Sequence, residues 1–389
     1  MPRLGSCDPR ASLVGKTVTM VETIYQVIQL SGAQGQKKRV LAVAPSNTAA
    51  DEMCLRLKKL GVAPGVMRRV NWHQRASNTQ RPDLLPYSLM DDKGLFKIPT
   101  AEELSGCQVI VATCFTAGAL AFAGLPPVDL LVLDEAAQPT EPESRVALML
   151  AGQETTVVLC GDPKQLGPVV RSQSAAMCGL RVSLMERLMQ DPLYSEEHPG
   201  RIIKLVNNYR SHESILALSS HLFYNGELRA CADVYETGLL AVWERLPTQQ
   251  FPLLFFGVDG VCKPSLDGAS FFNLAEATQT ASIIKELLET NLEVSPSDFG
   301  IMAPYRKQVL ILRDVLRSRG LGRVDVGTVD DFQGKERRII IISTVITKDM
   351  RLPVSAWGQI LPKEEVMGTH WCRLAMTHAI HDDYLLFSS

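Results

Sequence analysis

The sharpest chemical feature of this 389-residue sequence is a pair of adjacent carboxylates, Asp134 and Glu135, at the end of the apolar run Val128-Asp-Leu-Leu-Val-Leu133. Ligands of an open parallel sheet bind beyond the carboxyl ends of its strands, so a strand here would carry two acids to the working edge. The first acid could hold Mg²⁺, usually through water, and the second could orient or deprotonate an attacking water. Taken alone, Asp-Glu after a strand is also an ordinary helix N-terminus. Context sharpens it. The next apolar run, ending at Cys160, leads into Gly161-Asp-Pro-Lys-Gln165-Leu166, where an amide such as Gln165 could report on a terminal phosphate.

Upstream, Gly15-Lys16-Thr17 opens a stretch with Val18, Val21, Tyr25 and Ile28 at helical spacing. A phosphate-binding loop ends this way, with Lys on the β- and γ-phosphates and Thr on the metal. In the second half, Asn208-Tyr209-Arg210-Ser211-His212 follows an apolar run and opens another helical stretch. Arg210 could serve as an arginine finger and Tyr209 could offer a face for adenine stacking.

Such residues need a scaffold that brings strand ends together, and the rest of the chain describes one. Short β-branched runs alternate with helical periods along the whole length, the signature of an α/β protein. The strand candidates are Arg39 to Ala44, Gln108 to Thr113, Val128 to Leu133, Thr156 to Cys160, Arg201 to Leu205, Pro252 to Phe256, Phe299 to Ala303, Arg323 to Val329, Ile339 to Ile346 and Tyr384 to Phe387. Most are continuous apolar runs, as parallel strands buried on both faces require. Ala50, Met53, Cys54, Leu57 and Leu60 predict a helix entered by Thr48, with Asp51 three residues on, and left at Gly61. Two more are predicted over Leu274 to Thr290, capped by Asn273 and Glu276, and over Tyr305 to Arg319 before Gly320. The Pro- and Gly-containing segment Gln190 to Gly200 reads as a linker between domains at 1–195 and 196–389, with 63–106 an irregular insertion in the first.

Composition narrows the class further. Lys plus Arg is 40 against Asp plus Glu 42, a net charge of −2, so any contact with a polyanion must be local. No apolar run approaches the ~18 residues needed to cross a bilayer. The nine cysteines form no Cys-x-x-Cys pair and residues 1–16 lack a signal-peptide core, which points to a reducing cytosolic or nuclear setting. His370, His378 and His381 read as ordinary histidines rather than a zinc site.

In order, Gly-Lys-Thr at 15–17, Ala-Pro-Ser-Asn-Thr at 44–48, Asp-Glu-Ala-Ala at 134–137, Gly-Asp-Pro-Lys-Gln at 161–165, Asn-Tyr-Arg-Ser-His at 208–212, Ala-Pro-Tyr-Arg-Lys-Gln at 303–308 and Val-Asp-Asp-Phe-Gln-Gly-Lys-Glu at 329–336 span nearly the whole chain. This series resembles the superfamily 1 helicases of the up-frameshift type. The stretches Tyr209 to Ser220, Asn225 to Asp233 and Pro304 to Val309 look most like the Armitage and Moloney-leukaemia-virus-ten branch of RNA-silencing helicases.

The resemblance implies two RecA-like parallel-sheet domains of the P-loop NTPase class, with ATP and Mg²⁺ as cofactors and single-stranded RNA as partner, DNA being the other option. It implies that Gly15, Lys16 and Thr17 bind phosphate, Thr17 and Asp134 the metal, Glu135 the attacking water, and Gln165 and Arg210 the γ-phosphate. Tyr209 would stack on the base, and Gly334 and Glu336 would border the nucleotide, Glu336 at the ribose. Pro45, Ser46, Asn47, Thr48, Thr113, Pro304, Tyr305 and Thr328 would contact the nucleic-acid backbone through hydroxyls and main-chain amides, which reconciles RNA binding with the net charge. It also implies a cytoplasmic monomer, compatible with ribonucleoprotein granules and RNA-silencing partners, without a membrane.

The sequence departs from that pattern in three places. Arg10 and Leu13 stand where the phosphate loop uses glycine, no apolar run precedes Gly15 to supply the first strand, and His378 stands where the last motif carries arginine. Glycine matters there because the loop needs φ > 0 and close backbone approach to phosphate. These departures leave a second reading open, a catalytically impaired helicase relative acting as an RNA- or partner-binding module.

Overall fold

The computed structural model describes residues 15–194, 200–268, 270–290, 293–332, 337–345, 347 and 385–388. It divides into two compact units at Leu205/Val206. Arg10, Leu13, Gly334, Glu336, His370, His378 and His381 lie outside the described residues.

The first unit runs α1 (Lys16–Ala33), β1 (Val40–Ala44), α2 (Asn47–Lys59), β2 (Met67–Arg69), β3 (Val109–Thr113), α3 (Cys114–Phe122), β4 (Val128–Leu133), α4 (Glu141–Leu148), β5 (Ala151–Leu159) and α5 (Leu184–Met189). The strands form one parallel sheet in the order β2-β3-β1-β4-β5. Successive strand side chains point to opposite faces, and the core divides accordingly. Val40, Ala42, Val109, Val111 and Val132 pack beneath Met20, Ile24 and Ile28 of α1 and Met53 and Leu57 of α2. Leu41, Val43, Ile110, Ala112 and Leu131 pack against Ala117 and Leu120 of α3 and Ala147 of α4. Each fully buried aliphatic side chain contributes roughly 1.5–3 kcal/mol, so this two-faced burial holds the strand ends in place.

Among the described residues β5 is an edge of the sheet, and Val157 on it is 41% exposed. Three local expectations change. The helix cap is Ser46 rather than Thr48: its hydroxyl accepts from Ala49 N at 3.2 Å, and Thr48 is already helical. Within 63–106, β2 is not irregular but joins the sheet, because Met67 and Arg69 find buried places beside β3. β5 begins at Ala151, five residues earlier than the apolar run Thr156 to Cys160.

The second unit carries the short pair β6 (Asn207–Asn208) and β7 (Arg229–Ala230), joined by α6 (Glu213–Phe223), then β8 (Leu253–Phe256) and the hairpin β9 (Lys263–Pro264) with β10 (Phe271–Phe272). There follow α7 (Leu274–Glu289), β11 (Phe299–Met302), α8 (Arg306–Ser318), β12 (Asp325–Gly327), β13 (Ile339–Ser343) and β14 (Leu385–Ser388). Its main sheet is parallel, in the order β12-β11-β13-β14-β8. Ala281 and Ile284 of α7 and Leu312 and Leu316 of α8 cover Phe299, Ile301, Ile339 and Ile341. Arg201 to Leu205 is not a strand: Arg201 and Lys204 interrupt the apolar run, Ile203 is 85% exposed, and pairing starts only at Asn207.

Candidate active site and nucleic-acid interface

The described first-half site candidates sit at or beside the carboxyl edge of the first sheet. Asp134 follows β4 directly, and its N–H donates to Val43 O on the neighbouring strand at 2.8 Å. Thr17, in the first turn of α1, donates its hydroxyl to Asp134 Oδ2 at 3.1 Å. Lys16 Nζ stands 3.8 Å from Asp162 Oδ2. Gln165 Nε2 donates to the same Asp162 oxygen at 2.9 Å. Thr17, Lys16 and Gln165 are thus held by two acids, Asp134 after β4 and Asp162 after β5, with Gly15 directly before them at the start of α1.

Glu135 adopts φ +52°, the left-handed region that non-glycine residues avoid. Such strain costs on the order of 1–3 kcal/mol and persists only where the surroundings impose it. Here Glu135 N donates to Asp134 Oδ1 at 3.0 Å, Ala136 N to Cys160 O at 2.8 Å, and Gln138 Nε2 to Glu135 Oε2 at 2.8 Å. The turn aims two consecutive carboxylates in different directions, one into the sheet edge and one toward Gln138.

Burial, and then the Glu135 charge, push the Asp134 carboxyl up to about 6, against hydrogen bonds from Glu135 N and Thr17 and the attraction of Lys16. A carboxylate so deprived of water gains from a cation placed beside it. The oxygen pair Thr17 Oγ1 and Asp134 Oδ2, next to a lysine, is the hard donor set that Mg²⁺ uses when phosphate and water complete its shell. The described residues contain no group of three or more His, Cys, Asp or Glu able to hold a metal unaided. Cys160, directly after β5, packs against this turn, and burial and the nearby Asp134 push its thiol up to about 12, which favours the protonated form.

Three contributors were not assigned roles from the sequence. Gly161 packs so closely that an added Cβ would fall 2.9 Å from Ala136 N and 3.0 Å from Ala137 N. Asp162 gathers Lys16 and Gln165, and Gln138 holds Glu135. The sequence signals for Gly161 are its place in the Gly-Asp-Pro-Lys-Gln stretch and directly after an apolar run, where backbones approach closely.

The candidate nucleic-acid residues of the first unit lie at the same edge. β1 and β3 pair Ala44 with Thr113, so Pro45, Ser46, Asn47 and Thr48 leave the sheet beside Thr113. Ser46 and Thr113 both cap helices, Thr113 Oγ1 accepting from Thr116 N at 3.2 Å. Asn47 Oδ1 accepts from the buried Arg69 at 2.9 Å and from Arg75 at 3.4 Å. Both arginines also bind Asp51, at 2.9 and 2.6 Å, which fixes the N-terminus of α2.

In the second unit, Ala303 N donates to Gly327 O at 3.1 Å, which brings Pro304 and Tyr305 beside Thr328 at the carboxyl edges of β11 and β12. Tyr305 packs edge-on against Phe271 at 5.3 Å. Thr328 N donates to Asp331 Oδ2 at 3.0 Å, an oxygen that also receives Arg306. Tyr209 and Arg210 lie apart from that edge, beyond β6, where Asn208 Oδ1 accepts from Arg210 N at 3.0 Å and Ser211 N at 2.8 Å. Tyr209 keeps an exposed ring with its hydroxyl 3.3 Å from Asn207 Nδ2.

Two family models, each described as an AAA domain, match the chain over residues 12–91 and 96–173 and over residues 180–367. RNA helicase Mov10l1 of Homo sapiens is 38% identical over 89% of this chain and 30% of its own length. The Danio rerio protein named putative helicase mov-10-B.1 is 39% identical over 85% of this chain and 34% of its own length. The Drosophila melanogaster protein named probable RNA helicase armi is 31% identical over 88% of this chain and 32% of its own length. The chain belongs to the superfamily 1 up-frameshift-like helicases, in their Mov10 and Armitage branch. It spans about a third of the length of these curated relatives. Among the described residues no helix is long and apolar enough to cross a membrane.

Proposed function

We propose that this chain is the motor segment of an ATP-dependent RNA helicase, coupling ATP hydrolysis to movement on or remodelling of single-stranded RNA in cytoplasmic RNA silencing. The observation that carries the reading is the joining of Thr17, Asp134 and the strained Glu135 at one strand end, with Lys16 and Gln165 tied through Asp162. In this reading each unit is one RecA-like domain.

Lys16 holds the β- and γ-phosphates, and Gln165 meets the terminal one. Thr17 and Asp134 hold Mg²⁺, which supplies charge neutralisation on the phosphate oxygens. Glu135, turned away from Asp134 by its left-handed backbone, orients the attacking water and accepts its proton, while Gln138 restrains its carboxylate. In the second unit, Arg210 offers a cation of the kind that neutralises phosphoryl charge and Tyr209 an exposed ring of the kind a base stacks on. The cap hydroxyls and main-chain amides after β1, β3, β11 and β12 grip the RNA backbone, which requires no basic patch. The names of the relatives support RNA as the strand.

Strand separation tests this function. A short RNA duplex with a single-stranded tail, incubated with the protein, ATP and Mg²⁺, is expected to separate, and Thr17→Ala is expected to abolish that separation. Separation that proceeds equally without ATP would overturn the proposal.

A further inference from the structure

A feature that takes no part in the sites above stands beside Thr113. Phe115, in the first turn of α3, is 65% exposed, although phenylalanine gains from burial more than most residues. Its ring meets that of Trp72 at 5.1 Å and 76°, nearly edge to face. The register explains the meeting. Arg69 of β2 pairs with Val111 of β3, and Val70 N donates to Val111 O at 2.8 Å, so continuing both strands sets Asn71 beside Thr113 and Trp72 beside the start of α3.

The pair is built on a fixed base. Buried Asn71 donates to Gln80 and Ser88, each at 2.9 Å, and accepts from Arg75 at 2.7 Å. Arg75 also reaches Asp51 and Asn47 at the N-terminus of α2. The segment presenting Trp72 is therefore anchored to the same turn that presents Ser46, Asn47 and Thr48. An edge-to-face contact covers at most one of the four ring faces, and the exposure of Phe115 shows that its ring remains open to solvent.

We infer that Phe115, backed by Trp72, is a stacking platform for one base of the single-stranded nucleic acid whose backbone runs along this sheet edge. The inference rests on the proposed RNA reading and deepens it, since the polar caps around it hold phosphate and sugar but leave the bases without a partner. A preorganised aromatic face suits a base of any sequence, because every base has a π-face.

Fluorescence anisotropy of a labelled single-stranded RNA with the full chain, at fixed salt, tests it. Phe115→Ala is expected to weaken binding about 5- to 100-fold, the range of losing one stacked base, while Phe115→Tyr stays within about 2-fold of the parent. The dependence on salt is expected to keep its slope, because stacking releases no counterions. An RNA made of abasic residues is expected to bind the parent and Phe115→Ala equally.

Three results would overturn the platform. Phe115→Ala binding normal RNA as the parent does would remove it while leaving the RNA reading intact. An equal loss with abasic RNA would assign Phe115 a structural role instead. Failure of the parent chain to bind any single-stranded RNA would remove the platform and the RNA reading together.

Discussion

Asp51 is predicted to be a costlier residue to lose than the arginine it pairs with. Arg69 is 0% exposed, and burial pulls its guanidinium below its ordinary pKa. Asp51 accepts from Arg69 Nε at 2.9 Å and from Arg75 NH2 at 2.6 Å. Asp51→Ala leaves a buried guanidinium without its counter-charge, a change that costs about 3–5 kcal/mol. Arg69→Met removes the buried cation itself, fills much of its volume, and leaves Asp51 paired with Arg75, so its cost is expected at about 1 kcal/mol. Urea unfolding followed by tryptophan fluorescence separates the two. With an m-value of about 2–3 kcal/mol/M, Asp51→Ala should lower the midpoint of the unit carrying Trp72 by about 1–2 M, and Arg69→Met by under about 0.5 M. A larger effect of Arg69→Met than of Asp51→Ala would refute the reasoning.

Gly161→Ala should destabilise the first unit by about 1–3 kcal/mol and abolish turnover, since its Cβ would fall 2.9 Å from Ala136 N, a backbone atom that cannot step aside as Met185 Sδ can. A thermal scan beside a turnover assay checks both. Glu141 bridges α4 and α5: Arg187 first, and Arg145 with it, hold its carboxyl down to about 2, below its ordinary 4.5. A depressed carboxyl contributes stability that is present above the ordinary value and is lost as pH falls through the folded one. The parent should therefore exceed Glu141→Gln by about 0.5–1 kcal/mol from pH 7 down to about 5, with the gap closing toward pH 2. Urea midpoints across that range measure it, and a gap that widens on acidification would contradict the assignment.

How much of this was legible in the sequence follows from which forces are local. Continuous apolar runs such as Val128 to Leu133 and Ile339 to Ser343 announced buried parallel strands because both faces are covered by helices. Asp134, Glu135, Thr17 and Gln165 were visible because strand-end chemistry keeps its spacing along the chain. The helix cap was misplaced by two residues, since Ser46 and Thr48 have equal capping chemistry and only the backbone decides between them. Strand β2 hid because its three residues include Arg68 and Arg69, and nothing local shows that Asp51 and Asn47 await the latter. Gly161 and Asp162 escaped for the same reason: their contacts with Ala136 and Lys16 exist only once the fold brings those loops together, while Gln138 meets Glu135 three residues away through a turn whose left-handed φ the sequence does not announce. The pairing of Trp72 with Phe115 is likewise a product of register, with no signal along the chain.

The central claim is that the acids at the end of β4 hydrolyse ATP under the control of RNA. The measurement that meets it most directly is phosphate release by the purified chain, with and without single-stranded RNA, beside Glu135→Gln. That substitution keeps the shape of the side chain and removes the base. The account predicts turnover that RNA stimulates and that Glu135→Gln abolishes, with nucleotide still bound. A folded chain that binds RNA but releases no phosphate above the level of Glu135→Gln would contradict it.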